Sequence, residues 1–209
     1  MLASESSSVS SRTASIARKT GETDVSLTLG LSGNGGGGTR STGVGFFDHM
    51  LDLLARHGQL DLDVKVDGDL QTGSHHTVED TGIVLGQALD QALGDRRGIY
   101  RYGHAVVPMD EARAMCAIDI SGRPYTLVTG FDRLPNGAIN GFDYEEAEEF
   151  FRAVASAARL TLHIEIQAGT NGHHMVEACF KAFARALRGA VAIDPDETGV
   201  PSTKGTLTS

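Results

Sequence analysis

The sequence predicts an α+β fold of two duplicated halves, each a sheet covered on one face by two helices. Three observations lead to this prediction. Segments with strictly alternating apolar residues, LDLDVKVD at 60–67 and LTLHIEI at 160–166, predict half-buried strands. Apolar residues at helical spacing precede and follow each of these strands. The phrase His-His-x-x-Glu occurs twice, 98 positions apart, each time at the head of the last predicted helix of a half.

The first half is predicted to span residues 13–95, after a Ser-rich segment, residues 1–12, that is expected to be a disordered tail. Its Gly-rich run NGGGGT, residues 34–39, is expected to form a hairpin loop rather than a phosphate-binding loop, because it joins no strand to a helix. GFFDHMLDLLARHG then predicts the first helix. SHHTVEDTGIVLGQALDQALG predicts the second, with Ser74 as its N-cap and Gly94 at its end.

The second half is predicted to span residues 96–190 with the same plan, strand, strand, helix, strand, helix. RAMCAIDIS and PYTLVTGF predict its first strands, and YEEAEEFFRAVASAAR predicts its first helix. HHMVEACFKAFARALRG predicts the last helix, with Asn171 near its cap. Residues 191–209 form a C-terminal tail that is expected either to be disordered or to contribute to phosphate binding.

The composition excludes several classes of function. The net charge is −9, and no Lys/Arg run exceeds two residues, which excludes a nucleic-acid binder and a protein that binds anionic membranes. No apolar run approaches membrane-spanning length. Cys116 and Cys179 lie far apart in apolar stretches, which predicts reduced core residues and a cytoplasmic protein.

The repeated phrase predicts two metal ions. Residues four apart share a helix face, so His75 and Glu79 can reach one ion, and His173 can do the same with Glu177 four residues on. The second histidine of each pair points about 100° away. One motif therefore cannot easily close both imidazoles on one ion, whereas two motifs, or two chains, can each lend ligands to two separate ions.

Two further donors stand at matched places, because His49 and Glu149 each precede a helix core at an offset of 100. Eight donors then serve two ions, four each, and leave two open positions on a six-coordinate ion. Imidazole and carboxylate without thiolate suit Mn, Zn, Fe or Ni, and octahedral geometry favours Mn. The alternative is that each histidine pair lies at a helix N-terminus without binding a metal, although a protonated histidine is unfavourable there. The predicted ligands are His49, His75, His76, Glu79, Glu149, His173, His174 and Glu177.

Three cations could hold a phosphate near these metals. Arg101 and Arg123 each follow a turn signal, and Lys181 lies one helical turn after a predicted ligand. Ser202 and Lys204, in the C-terminal PSTKGTL, could close over the same group. The alternative is that all of these side chains are simply solvated.

At these residues the chain resembles the imidazoleglycerol-phosphate dehydratase family. The resemblance rests on RKTGET, FFDHMLDLLARHG, GSHHTVEDTGIVLGQAL, MDEARAMCAIDISGRP, NGHHMVEACFKAFARAL and PSTKGTL, which together cover nearly the whole chain after the first dozen residues. It implies a fold like domain 2 of ribosomal protein S5 in each half. It also implies loss of water from imidazoleglycerol phosphate to give imidazole-acetol phosphate in histidine biosynthesis. It implies two Mn²⁺ per active site and a closed homo-oligomer of about 24 subunits with sites between chains.

The resemblance also assigns residues. It carries over the predicted metal ligands, except that Glu149 stands where relatives have His, a replacement that Mn tolerates. Leu53 stands where relatives can carry a Gln that reaches the phosphate. The implied substrate contacts are Glu22, Arg101, Arg123, Lys181, Ser202 and Lys204, the last five at the phosphate, and His57 is a further candidate.

Such a dehydration removes a proton from carbon with no carbonyl beside it, so the imidazole ring is the available electron sink. A carboxylate must then move protons. Glu22 is the first candidate because it is not needed as a ligand. Glu177 is an alternative, although a ligated carboxylate is a poorer base, and Asp110 is another that could instead be structural.

Two other functions fit the same residues. A dinuclear metallohydrolase would also use two metals and a phosphate clamp, but it would release inorganic phosphate. A metal-dependent structural cage or store would assemble with metal and bind no phosphate ester.

Overall fold

The structure, a computed structural model, describes residues 12–207. The predicted N-terminal tail lies outside this range except for Arg12. The carbonyl oxygen of Arg12 accepts a hydrogen bond from Leu31 N–H at 2.9 Å. Its guanidinium donates to the carbonyl oxygen of Val191 at 2.5 Å, so this residue is tied to both halves.

The first half forms a four-stranded sheet and two helices. Its sheet order is β1-β2-β4-β3, with β1, β2 and β4 antiparallel and β3 parallel to β4. The elements are β1 (Thr13–Lys19), β2 (Thr23–Gly30), β3 (Arg40–Ser41), α1 (Gly45–Gly58), β4 (Asp61–Gly68) and α2 (His75–Leu93).

The predicted hairpin at residues 34–39 is wrong. Strands β2 and β3 lie on opposite sides of β4, so the Gly-rich run crosses the end of β4 instead of reversing onto a neighbour. Gly38 explains part of the composition of the run. It has φ +76°, and a Cβ there would overlap the carbonyl oxygen of Leu62 on β4.

The second half repeats this topology, with sheet order β5-β6-β10-β7. The duplicated α+β fold is therefore confirmed, with three strands before the first helix of the first half and five before that of the second, where β8 and β9 form a separate two-stranded sheet. The alternation rule missed β5, where Gly103 and Pro108 interrupt the pattern. The elements are β5 (Tyr102–Met109), β6 (Ala112–Asp119), β7 (Tyr125–Thr129), β8 (Ala138–Ile139), β9 (Phe142–Asp143), α3 (Glu146–Ala157), β10 (Thr161–Ala168) and α4 (Gly172–Val191).

The helices of one half pack on those of the other. Helix α1 packs against α4, and α2 packs extensively against α3, so the hydrophobic core is shared between the halves. A cluster of phenylalanine rings reaches across this junction: the Phe47 ring of α1 lies 5.4 Å from the Phe150 ring of α3, which in turn lies 5.0 Å from the Phe180 ring of α4. Aromatic pairs at such distances contribute about 0.5–1.5 kcal/mol beyond the area they bury. Within residues 12–207, none of the helices is both long and apolar enough to cross a membrane.

Two glycines allow α2 to approach α3 closely. A Cβ at Gly82 would lie 2.9 Å from the Cβ of Ala153. A Cβ at Gly86, one turn later, would lie 2.6 Å from both the carbonyl oxygen of Val154 and the Cβ of Ala157. Real side chains do not approach this closely, so the distance between these helices depends on the absence of side chains at both positions.

The change Gly86→Ala is therefore expected to destabilise the protein. Alanine normally stabilises a helix interior by about 1 kcal/mol relative to glycine. Here the overlap with Val154 and Ala157 costs about 1–3 kcal/mol, which outweighs that gain. Gly189→Ala on α4 is the matched control, because a Cβ there would meet only Gly103 Cα at 3.8 Å, an ordinary contact. Thermal unfolding should show a lower Tm for Gly86→Ala and an equal or higher Tm for Gly189→Ala. A raised Tm in the first variant would contradict the argument.

Candidate active site

The packing of α1 on α4 brings together three of the predicted metal ligands. His49 lies on α1, and His173 and Glu177 lie on α4. The Nε2 atoms of His49 and His173 lie 3.6 Å and 3.0 Å from Glu177 Oε2. One ligand atom of each residue lies within 4.8 Å of the others. Among residues 12–207 this is the one group of His, Cys, Asp or Glu side chains that reaches such spacing, and we call it the α1–α4 trio.

Glu177 divides its two oxygens between different partners. Oε2 faces the histidines, whereas Oε1 accepts a hydrogen bond from Lys181 Nζ at 2.6 Å. Its side chain is 7% exposed. Burial by itself raises the pKa of Glu177, but the hydrogen bonds from Lys181 and His173 outweigh this effect and hold the pKa below its usual value. Glu177 is therefore anionic, as a ligand must be.

The packing of α2 on α3 places the equivalent residues on the other side of the repeat. His75 Nε2 lies 3.8 Å from Glu79 Oε2 on α2, and Glu79 and Glu149 line one surface pocket between the helices. Glu149 is the counterpart of His49 in the repeat, although these three residues do not reach the spacing of the α1–α4 trio. We call His75, Glu79 and Glu149 the α2–α3 trio. Both trios thus draw predicted ligands from both halves of the chain.

The two helices that carry the repeated phrase begin differently. Asn171 caps α4, because its side-chain oxygen accepts hydrogen bonds from the N–H groups of His173 and His174 at 2.9 and 3.4 Å. Ser74 is the N-cap residue of α2, but the prediction that its side chain caps the helix is wrong, because that side chain makes no capping hydrogen bond. Ser74 Oγ instead lies 2.8 Å from both carboxylate oxygens of buried Glu146 at the start of α3. This contact ties the N-terminus of α2 to the second half.

The second histidine of each pair points away from its trio, as the helical spacing predicts, towards a pair of carboxylates. His76 Nδ1 lies 3.1 Å from Asp69, and its Nε2 lies 3.7 Å from Glu22. A carboxylate accepts hydrogen bonds, so Nδ1 carries the proton and Nε2 of the neutral ring keeps its lone pair for a metal. The hydrogen bond to Asp69 raises the pKa of His76.

The equivalent histidine in the second half has the same kind of environment. His174 Nδ1 lies 2.7 Å from Glu111, and Nε2 lies 3.7 Å from Asp110. The hydrogen bond to Glu111 raises the pKa of His174. Glu111 also accepts backbone hydrogen bonds from Asn171 at 2.8 Å and Thr170 at 3.1 Å. The hydrogen bond from His174 has the largest effect on the pKa of Glu111, and the backbone donors add to it. Together they lower this pKa to about 2.

Sequence reasoning missed the orienting carboxylates Asp69 and Glu111. A usable signal existed for one of them. Glu22 immediately precedes β2 and Glu111 immediately precedes β6, so the repeat places them at equivalent ends of equivalent turns. Asp69 lies in the loop after β4, where the second half has Gly169, and the repeat offers no counterpart.

The three catalytic candidates lie in different environments. Glu22 is 55% exposed, outside both trios, with its Oε1 3.7 Å from His76 Nε2. Asp110 is 73% exposed in the β5–β6 turn, beside His174. Glu177 is buried between two histidines and a lysine. Glu22 and Asp110 are thus accessible to a substrate, whereas both oxygens of Glu177 are already engaged.

Four of the predicted phosphate contacts line one pocket of about 500 Å³: Arg101, Arg123, Ser202 and Lys204. Arg101 is fixed by two hydrogen bonds to Asp119, at 2.7 and 3.1 Å, and these raise the pKa of Arg101. It also donates to the carbonyl oxygen of Pro201 at 2.8 Å.

The fifth predicted phosphate contact, Lys181, and the further substrate-binding candidate, His57, lie together elsewhere, beside the α1–α4 trio. Lys181 bonds Glu177, and its Nζ also lies 3.3 Å from Met109 Sδ. Burial lowers the pKa of His57, and the charges of Lys181 and Arg185 lower it further. Leu53, at the position where relatives can carry Gln, is half-buried and packs against the hydrophobic core. One chain therefore divides the predicted phosphate contacts into two groups.

The chain resembles known proteins over nearly all of its length. It is 55% identical to an imidazoleglycerol-phosphate dehydratase from Symbiobacterium thermophilum over 204 residues, which are 97% of this chain and 96% of the relative. It is 56% identical to the protein of that name from Methylorubrum extorquens over 94% of this chain and the whole relative.

Solved structures agree with this similarity. The crystal structure of imidazoleglycerol-phosphate dehydratase from Staphylococcus aureus matches with a TM-score of 0.77 and 40% identity, over 87% of this chain and 99% of that chain. The structure of IGPD from Pyrococcus furiosus matches with a TM-score of 0.76 and 36% identity, over 91% and 99%. The family model for imidazoleglycerol-phosphate dehydratase matches residues 42–187. This chain belongs to the imidazoleglycerol-phosphate dehydratase family.

Proposed function

We propose that the protein is a hydro-lyase that removes water from imidazoleglycerol phosphate and forms imidazole-acetol phosphate, a step of histidine biosynthesis. Membership of the family supports this reaction. The observation that carries it in this chain is the closure of the α1–α4 trio across the two halves, which gives a metal-ligand set that neither half has alone.

Two Mn²⁺ ions per active site are part of this proposal. The donors fit, because each trio combines imidazole and carboxylate without thiolate, and Glu177 is held anionic. When bound, two such ions would draw electron density from the imidazole ring of the substrate. The ligands would be His49, His75, His76, Glu79, Glu149, His173, His174 and Glu177.

The active sites are proposed to form between chains of a homo-oligomer of about 24 subunits. His76 and His174 keep an Nε2 that faces away from the trios of their own chain, so each could complete a trio of a neighbouring chain. The outer face of the second sheet also supports association, because Tyr102, Tyr125 and Val106 on it are 60%, 58% and 55% exposed.

The carboxylates are proposed to move the protons. Glu22 takes a proton from carbon and returns one to the leaving hydroxyl, which departs as water. The enol that remains becomes the ketone of the product. Asp110 and Glu177 are the alternative bases. Glu22 is favoured because it is exposed and is needed by neither trio.

The phosphate is proposed to bind in the pocket of Arg101, Arg123, Ser202 and Lys204. Lys181 and His57 lie beside the α1–α4 trio of their own chain, so they would join the phosphate from another subunit. The location is proposed to be the cytoplasm, in keeping with two buried thiols, Cys116 and Cys179, whose pKa burial raises.

The test uses protein that has been stripped of metal by a chelator. Imidazoleglycerol phosphate is added, Mn²⁺ is restored stepwise, and imidazole-acetol phosphate and free phosphate are followed together. Product that forms only with Mn²⁺ and without free phosphate is the expected result. Free phosphate would indicate a metallohydrolase instead. Tight metal binding without either product would indicate a structural or storage role and would overturn the proposal.

A further inference from the structure

The segment that carries Ser202 and Lys204 is fixed at both ends by arginine side chains. We call residues 200–207 the C-terminal strap. Near its start, Arg101 donates to the carbonyl oxygen of Pro201 at 2.8 Å. At its end, Arg96 donates to the carbonyl oxygen of Leu207.

Between these two anchors the strap is a solvent-exposed turn. The N–H of Gly205 donates to the carbonyl oxygen of Ser202 at 3.0 Å, and the N–H of Lys204 donates to Ser202 Oγ at 3.2 Å. Residues 203–206 are exposed, whereas the Leu207 side chain is 4% exposed. A turn of this kind sets its own shape but not its position over the pocket, which depends on where its ends are held.

Arg96 is built into the protein interior. Its side chain is fully buried, and its Nη2 donates to Asp90 on α2 at 2.5 Å. Asp90 also binds Arg159 at 2.9 Å, so one carboxylate supports two guanidinium groups. The backbone of Arg96 has φ +63°, a conformation that favours glycine, although the residue there has a long side chain whose two Nη atoms each donate a hydrogen bond.

The turn before Arg123 is shaped to admit the same anchor. Gly122 has φ +74°, and a Cβ there would overlap the carbonyl oxygen of Leu207 and lie 2.9 Å from Arg96 Nη1. The end of the strap, the buried guanidinium and the residue next to Arg123 therefore meet at one point. Arg96 itself does not line the pocket.

We infer that Arg96 is a positioning residue that, through Leu207, holds the C-terminal strap so that Ser202 and Lys204 face Arg101 and Arg123 across the phosphate pocket. This role rests on the proposed function, because it concerns the phosphate of that substrate. A contact to phosphate serves the ground state and the transition state equally, so its loss raises KM and changes kcat little.

The experiment measures the strap and the kinetics separately. Trypsin can cleave after Lys204, and the mass of the intact chain reports this cut. Arg96→Met should speed the cleavage at least about tenfold, weaken protection by inorganic phosphate, and raise KM about tenfold or more with kcat within about twofold. Asp90 keeps Arg159 as a partner, so the variant leaves no orphaned carboxylate. Arg96→Lys keeps one donor nitrogen. It should give a cleavage rate and a KM between those of the unaltered protein and those of Arg96→Met.

A second route and a matched control keep the test independent of folding defects. Leu207→Gly removes the buried side chain at the same end of the strap while Arg96 is intact, and should reproduce both effects. Arg133→Met removes an exposed arginine elsewhere and should change neither.

Two results would overturn the inference: unchanged KM despite faster cleavage, or unchanged cleavage in both strap variants. Failure of the proposed function gives a different result, namely no turnover by the unaltered protein. In that case, phosphate protection of Lys204 that depends on Arg96 would still support the anchoring, and its absence would refute it.

Discussion

Glu22→Gln is expected to lower kcat by about 10²–10⁴-fold, the usual contribution of a general acid–base group. The amide has the shape of the carboxylate but cannot take up a proton. Because Glu22 belongs to neither trio and not to the phosphate pocket, bound Mn²⁺ and KM should change little. Steady-state kinetics and metal analysis of the same preparation check both statements.

Asp24→Asn is the matched control for this change. Asp24 lies near the start of β2, two residues after Glu22, and its exposed side chain pairs with Lys19 at 2.6 Å. Its kinetics should remain near those of the unaltered protein. Asp110→Asn separates the two exposed candidates. Near-normal turnover in Glu22→Gln together with a large loss in Asp110→Asn would transfer the role of base to Asp110.

His174→Ala is expected to remove about one of the two proposed Mn²⁺ ions per chain and to abolish most activity. His174 lies outside the α1–α4 trio, so a site completed within one chain would not need it. Loss of metal in this variant therefore tests whether ligands cross between chains. Metal content per chain and the size of the assembly are measured before and after Mn²⁺ is added.

A graded variant sharpens this result. Glu111→Gln keeps the imidazole but removes the charge that orients it, and such a change typically costs about 10–100-fold in metal affinity. His104→Gln on β5 removes a histidine that belongs to neither trio and should leave metal content unchanged. Full metal content in His174→Ala would instead leave His174 as a partner of Glu111 and nothing more.

The sequence predicted well the features that depend on local periodicity. The repeat relates His49 to Glu149 at an offset of 100. Helix geometry places His75 and Glu79, four residues apart, on one face. The structure places these residues on the expected helices and turns His76 away from its trio, as the spacing requires.

Local periodicity did not predict which helices and loops pack together when they lie far apart in the sequence. A helical pattern shows which face of α1 is apolar, but not whether that face meets α2 or α4. The partners Asp69 and Glu111 were missed for the same reason, since loops bring them to the histidines. The sequence also did not show that Lys181 and Arg101 lie in different places, because the packing of the elements decides this. Ser74 shows that a good capping residue can be used for a tertiary contact with Glu146 instead.

The exchange of helix partners between the halves has a consequence for ancestry. Each trio takes proposed ligands from both halves, so a single half, standing alone, would hold only parts of the two proposed sites. Two copies of one half, related by a twofold axis, would already make both trios in identical form. Fusion of the copies would then free each trio to diverge, and Glu149 opposite His49 is the mark of such divergence in this chain.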